Sequence, residues 1–364
     1  MLETDPVTRL PARGKVGYRS PSPTMAQYSH LSEPDPELTS IASISGSLTK
    51  DAVPLVRRAL DDALDKRLDL YKTLLPSEST YNLEDHIVPV EDGEIRVRTI
   101  SPTPTPNEDS EFPVLVYLHG GGWVAGSIDM KDFELRILSV ELRLAIVNVD
   151  YRLAPEHRFP TGLNDCYAAL KWTVENCARI CGSLDKGFVV GGSSAGANLA
   201  AAVAHRSLKD PFFEQCKLTG HILQIPVLVH PAAYPLDYTS ELLSYEQNKN
   251  APTLGKDLMD FYYACLKGSP ADPDVSPLLA DHTGLPPAYL QVCGLDPMRD
   301  EGLLYERLLR ELGIPTKLDI YPGVPHGFKI MFPGITAAKK WEVDLRGGLK
   351  WIFFFQITGL IFSP

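Results

Sequence analysis

The chain has 364 residues, of which 44% are hydrophobic and 22% charged, the proportions of a folded globular protein rather than a disordered chain or a coiled coil. Lys and Arg number 35 against 46 Asp and Glu; the net charge of −11 lacks the basic footprint that holds a phosphate backbone, which argues against nucleic acid as a partner. The six cysteines, Cys166, Cys177, Cys181, Cys216, Cys265 and Cys293, form no CxxC pair in a chain large enough to need no staples, and they read as free thiols.

Residues 1–40 hold six prolines, among them Pro21 and Pro23 in Ser-Pro pairs, and predict an irregular arm. From Asp51 the pattern changes. Val56, Leu60, Leu64, Leu68, Tyr71 and Leu75 recur at spacings of three and four, with Arg57, Asp61, Asp65 and Asp69 among the residues of the other face. This predicts an amphipathic helix entered through Asp51, with Pro54 in its first turn, and stopped by Pro76. His86–Val90 and Glu94–Ile100 flank the acidic turn Glu91-Asp92-Gly93 and predict an antiparallel hairpin at a sheet edge. The Pro-rich, acidic stretch 101–111 reads as a surface loop.

From Phe112 onward short apolar runs alternate with helical ones, which predicts right-handed crossovers and a mainly parallel sheet. The strands expected are Val114–Leu118, Ala145–Val149, Phe188–Val190, Ile222–Val227, Ala288–Val292 and Lys317–Tyr321, eight in all with the hairpin. Two segments fall outside this alternation: residues 1–80, and an insertion at about 230–286 between the sixth and seventh strands.

The motifs sit at strand ends. His119-Gly120-Gly121-Gly122-Trp123 follows the strand Val114–Leu118. Consecutive glycines let backbone N–H groups approach a developing oxyanion without hindrance from a Cβ. Gly192-Ser193-Ser194-Ala195-Gly196 is a G-x-S-x-G between the strand ending at Val190 and the Ala-rich run 197–205, the order that a nucleophile elbow requires. Glycine-rich turns of this kind also occur in nucleotide-binding folds, but no GxxxxGK[ST] is present. A serine hydroxyl needs a base and an orienting carboxylate. Asp296 follows the seventh strand and His326 the eighth, each at a carboxyl end where ligands bind in open α/β sheets. Asp300 is the rival carboxylate, set back by its place at the start of a helix expected over Glu301–Leu312. The natural oxyanion donors are the amides of Gly121, Gly122 and Ala195. No HExxH or comparable spacing occurs, so neither a metal nor a cofactor is expected.

Taken together, His119–Trp123, Asp150-Tyr151-Arg152-Leu153-Ala154-Pro155-Glu156, Gly192–Gly196, Asp296-Pro297-Met298-Arg299-Asp300-Glu301 and His326-Gly327-Phe328 resemble the hormone-sensitive lipase family of α/β hydrolases, with the motifs in the family's order. The likeness runs from about Ile87 to Leu349. It implies an α/β-hydrolase fold: a mostly parallel eight-stranded sheet with helices on both faces and a helical cap made from the two outlying segments. It also implies a serine carboxylesterase with a Ser194, His326, Asp296 triad, acting on a small-molecule ester, with Arg152 and Glu156 as scaffold. The Gly-Gly-Ser-Ser elbow and the long loop between early strands resemble fungal members, some of which act in secondary metabolism. Acyltransferase, lactonase or cyclase chemistry would use the same triad, whereas the ligand receptors of this fold have lost the histidine that stands here at 326.

In such a cap Tyr18, Tyr28, Tyr234, Tyr238, Tyr245, Phe261, Tyr262 and Tyr263 are candidates to wall an acyl or aryl pocket. The division expected is an arm and cap helix over 1–80, a catalytic domain over 81–351 and an apolar tail over 352–364. The tail follows a helix expected over Lys339–Trp351. At about a dozen residues it is too short for a bilayer span of roughly 20, and reads as a docking strand, a dimer contact or translated intron sequence. A homodimer is one assembly left open. With no apolar stretch of signal-peptide length in the first thirty residues and no N-x-[ST] sequon, a cytoplasmic location is expected.

Overall fold

The computed structural model of the protein describes residues 27–38 and 49–358, without the side chains of 50, 66–70 and 354–358. Tyr18, the Ser-Pro pairs of the arm and the tail beyond 358 lie outside the described residues.

The strands are β1 (Tyr81–Val90), β2 (Gly93–Pro102), β3 (Val114–Leu118), β4 (Ala145–Asp150), β5 (Phe188–Ser193), β6 (Gly220–Gln224), β7 (Ala288–Leu295) and β8 (Thr316–Pro325). They form one sheet in the order β1-β2-β4-β3-β5-β6-β7-β8. The β1–β2 hairpin joins β4 antiparallel, and every pairing from β4 to β8 is parallel. The helices are α1 (Val53–Lys72), α2 (Asp132–Leu142), α3 (Thr161–Glu175), α4 (Ala195–Ser207), α5 (Ser244–Gln247), α6 (Lys256–Leu266), α7 (Arg299–Glu311), α8 (Phe328–Met331) and α9 (Thr336–Thr358).

All five residues of β3 are buried because both faces are covered. Val114, Val116 and Leu118 pack into the core that holds Leu170 of α3, Ala201 of α4 and Leu308 of α7. Leu115 and Tyr117 point the other way, toward Leu135 of α2 and Leu349 of α9. Period-two alternation in a strand and period-3.6 stripes in the helices thus produce a three-layer sandwich. The carboxyl ends of the parallel strands open toward α1 and α6.

Four sequence expectations need correction. Asp51 lies in a 3₁₀ turn, and α1 starts at Val53 with Ala52 at its cap and no capping side chain, so the first turn of α1 draws on Pro54 rather than on an acidic cap. The sixth strand stops at Gln224 instead of running to Val227, because Ile225 takes φ +44° and Pro226 follows. The helix after Asp296 begins at Arg299, two residues before the expected Glu301, with Asp300 at its start as expected. The C-terminal helix does not end at Trp351. It continues to Thr358, and Ile352 and Phe353 are core residues, 0% and 7% exposed, that stand over Gly220 and Gly187. Burial of two such side chains contributes about 1.5–3 kcal/mol each, so at least the start of the apolar tail belongs to the hydrophobic core rather than being appended to it.

Behind the sheet, His205 of α4, His221 of β6 and His282 gather around the buried Tyr305, with His205 and His282 ring centroids 5.2 Å apart. Burial, then the neighbouring His282, holds both His205 and His221 down to about 3. Unfolded, each takes a proton as the pH falls through about 6.5; folded, each stays neutral to about 3. Their contribution is therefore complete above pH 6.5 and lost as the pH falls toward 3. Buried Glu301, whose carboxyl burial pushes well up, works in the opposite sense, one carboxyl against several imidazoles, since burial lowers His119 as well. Between pH 6.5 and 5, above the ordinary carboxylate range, urea unfolding is expected to show a net loss of stability, and a flat profile would refute this.

Candidate active site

The elbow is built where β5 runs into α4. Ser194 stands between them at φ +57°, ψ −120°, a conformation outside the usual regions for a residue with a side chain. Its N–H donates to Gln224 O at 2.8 Å, which ties the turn to the end of β6. The flanking glycines are needed for close approach. A Cβ on Gly196 would overlap the carbonyl oxygens of Leu118 and His119, and one on Gly192 would overlap the Gly196 carbonyl. The G-x-S-x-G spacing is thus the condition for α4 to start directly beside the end of β3.

The structure brings the three polar groups expected from the motifs together. His326 Nε2 lies 2.8 Å from Ser194 Oγ, and His326 Nδ1 lies 2.8 Å from Asp296 Oδ2. Asp296 is 1% exposed and its other oxygen accepts from Met298 N–H at 2.9 Å. A carboxylate beside Nδ1 makes that nitrogen the donor and leaves Nε2 as an acceptor facing the serine hydroxyl.

Above Ser194 the loop after β3 turns through Gly121 (φ +115°) and Gly122 (φ +63°). Among the described residues, the N–H groups of Gly121, Gly122 and Ala195 have no protein acceptor. Ala195 is the first residue of α4, where the helix dipole favours negative charge. His119 is buried, stacks on Tyr151 at 4.2 Å and donates from Nδ1 to Gly120 O, while Tyr151 OH donates to His119 O. Burial lowers the pKa of its imidazole, which keeps it neutral, a brace for the loop rather than a base.

A family model of the α/β-hydrolase fold matches residues 115–330. The chain belongs to that family. Its relatives place this α/β hydrolase with the hormone-sensitive lipase and carboxylesterase type, and it is an esterase-type enzyme. Versiconal hemiacetal acetate esterase of Dothistroma septosporum is 35% identical over 67% of this chain and 75% of its own length. Carboxylic ester hydrolase LipN of Mycobacterium tuberculosis is 35% identical over 69% of this chain and 65% of its own. The crystal structure of vibralactone cyclase superposes with a TM-score of 0.86 at 37% identity, covering 90% of this chain and 97% of that one. Among the described residues no helix of the hydrolase is long and apolar enough to cross a membrane.

The rival carboxylate of this hydrolase is occupied elsewhere. Asp300 Oδ2 accepts the N–H groups of Leu243 and Ser244 at 2.9 and 2.7 Å, and its Oδ1 accepts from Arg299 Nε at 2.8 Å. Glu301 accepts from Leu228 N–H at 2.7 Å. The second half of the Asp296–Glu301 motif therefore anchors the inserted segment to α7. Arg152 makes a bidentate pair with Asp165, and Glu156 a bidentate pair with Arg57 of α1, whose Nε also donates to Val124 O. The contacts of Arg57 pin α1 against the loop that follows β3.

A cavity of about 630 Å³ opens onto Ser194, walled by Val56 and Leu60 of α1, Leu258 and Tyr262 of α6, and Ile330 and Met331. Of the eight aromatic residues expected to line it, Tyr262 alone does so among the described residues. Tyr245 donates its hydroxyl to Asp260, Tyr263 packs between Trp123 and His230, and Phe261 is buried in the main core. For Phe261 and Tyr263 the reason is the width of the apolar stripe on α6, most of which faces the body of the protein. Sequence reading also missed Asn248, which donates to Asp296 O at 2.9 Å, and Thr253, whose hydroxyl donates to His326 O. Both lie in the insertion without any local motif to mark them.

Proposed function

We propose that this hydrolase cleaves short- to medium-chain or aryl carboxylic esters through an acyl-enzyme on Ser194. The observation that carries the reading is the continuous line Asp296–His326–Ser194, two contacts of 2.8 Å, at the floor of a largely apolar cavity. Ser194 Oγ attacks the ester carbonyl carbon while its proton passes to His326 Nε2. The carbonyl oxygen, now bearing the charge, takes hydrogen bonds from the N–H groups of Gly121, Gly122 and Ala195. Collapse breaks the bond to the alcohol oxygen, which leaves with the proton from His326. A water then repeats the sequence on the acyl carbon, and Ser194 recovers its proton. Asp296 holds the imidazole in the tautomer that each step requires.

The cavity wall carries one carboxylate, that of the exposed Asp62 on α1, among its described residues, and the whole chain has net charge −11. Both features favour an uncharged or cationic ester over an anionic one. Hydrolysis of p-nitrophenyl esters from acetate to palmitate is expected to peak at short or medium chains, and to be several-fold faster for a neutral ester than for one of equal length ending in a carboxylate. A folded protein silent on the whole series, or most active on palmitate, would overturn the reading.

A second reading has one observation in its favour, the likeness to vibralactone cyclase. The same acyl-enzyme can pass its acyl group to an alcohol, including one on the acyl chain itself. Product analysis with a competing alcohol separates the two: acyl transfer in preference to water favours the second. His326 within hydrogen-bond reach of Ser194 weighs against a non-catalytic receptor.

A further inference from the structure

The arm segment 28–38, read from the sequence as irregular chain, packs on the two strand ends that lead to Asp296 and His326. A 3₁₀ turn, Ser29–Ser32, seats Leu31 against Val292 of β7 and Leu303 of α7. Beyond it the chain crosses the place where β7 and β8 separate. Pairing is regular as far as Cys293 with Tyr321 and resumes only at Leu295 with Pro325. Gly294 and Gly323 face the arm in this gap. A Cβ on Gly294 would overlap the Leu31 carbonyl oxygen, and one on Gly323 would overlap that of Glu33 and lie 2.6 Å from Asp35 N. Asp35 N–H donates to Gly323 O at 3.0 Å, and Glu37 accepts from Thr336 N–H at 3.0 Å. Gly294 is two residues before Asp296, and Gly323 three before His326.

Arg299, 1% exposed, closes the arrangement. Its Nη1 donates to Ser32 Oγ at 2.6 Å and to Gly294 O at 3.2 Å, its Nη2 to Gln247 Oε1 at 2.7 Å, and its Nε to Asp300. One guanidinium thus joins the arm, the end of β7 and the inserted segment. Interrupted pairing between β7 and β8 removes ladder hydrogen bonds at the point where the spacing of the acid and the base is set.

We propose that Leu31, Ser32 and Arg299 are positioning residues, and that the arm holds the Asp296 and His326 loops in register across this gap. The proposal rests on the triad reading above. None of residues 28–38 lines the cavity, so the arm acts on turnover and not on substrate binding.

The test uses the full chain with Leu31→Ala and Ser32→Ala combined, in the wild-type and the Asp296→Asn backgrounds, each followed by kcat and KM on a p-nitrophenyl ester. A misplacement near 1 Å costs up to about 10²-fold in rate, so kcat is expected to fall about 10- to 10²-fold with KM within about twofold. In the Asp296→Asn background the arm change should cost nothing further, since the contact through which it acts is already lost. An unchanged kcat in folded protein, a loss carried by KM, or an equal loss in both backgrounds would each overturn the proposal. If Asp296→Asn alone keeps full kcat, the triad reading fails and takes the proposal with it. Should the double variant not fold, Ser32→Ala alone, which removes the hydroxyl that accepts from Arg299 Nη1 and donates to Gly294 O at 3.4 Å, must give the same pattern with a smaller drop.

Discussion

Ser194→Ala is expected to lower kcat by about 10⁶ while leaving the fold in place. The size follows from what remains. The backbone donors of Gly121, Gly122 and Ala195 and the cavity walls still bind an ester and polarise its carbonyl, and that residue of function keeps the variant above the uncatalysed rate. What vanishes is the covalent step, with His326 Nε2 left facing a methyl group. Stability should change by no more than about 1 kcal/mol, the net worth of one hydrogen bond, because the strain at φ +57° is imposed by β5, α4 and the bond from Ser194 N–H to Gln224 O, all of which persist. Single-turnover and steady-state hydrolysis of p-nitrophenyl acetate, with matched unfolding curves, check both halves. Retention of more than about 1% of kcat by the folded variant would sink Ser194 as nucleophile.

The parts of this molecule that were legible beforehand are those where backbone geometry restricts residue type locally. Gly192 and Gly196 admit no Cβ because Leu118 and His119 carbonyls lie against them, so the turn writes its own signature into five consecutive residues. Buried parallel strands such as β3 and β5 are apolar runs because both faces are covered, and they were located to within a few residues. The ends of β6 and α9 were misjudged for opposite reasons. A positive φ at Ile225 breaks a run that stays apolar through Val229, whereas Ile352 and Phe353 prolong a helix because Gly220 and Gly187, more than 130 residues earlier, leave room for them. Contacts of that second kind have no local pattern. Asn248 and Thr253 reach Asp296 and His326 through backbone carbonyls, and an Asn or Thr in a loop has too many ordinary uses to be singled out. The same holds for Tyr262: its face of α6 is decided by tertiary packing, so of the three aromatic candidates on that helix one lines the cavity, which shows only once the helix is placed.

Asp296 and Asp300, four residues apart, were the two carboxylates open to the orienting role, and they are expected to fail in different ways. Asp296→Asn presents an amide to His326 Nδ1. An imidazole that donates from Nε2 instead can no longer accept the Ser194 proton, and by analogy with serine hydrolases this wrong tautomer costs about 10⁴ in kcat with the structure intact. Asp300→Asn removes a charge that Arg299 and two backbone N–H groups share in a site only 3% exposed. Breaking one side of a buried, hydrogen-bonded pair costs about 3–5 kcal/mol, so this variant should unfold early. Its kcat in the folded fraction should stay at least about 10²-fold above that of Asp296→Asn, since no atom of Asp300 bonds to His326. Kinetics and urea unfolding of the two variants side by side decide the matter. If Asp300→Asn loses catalysis at full stability while Asp296→Asn unfolds, the roles are reversed, and the second half of the motif, read here as an anchor for the insertion, belongs to the chemistry instead.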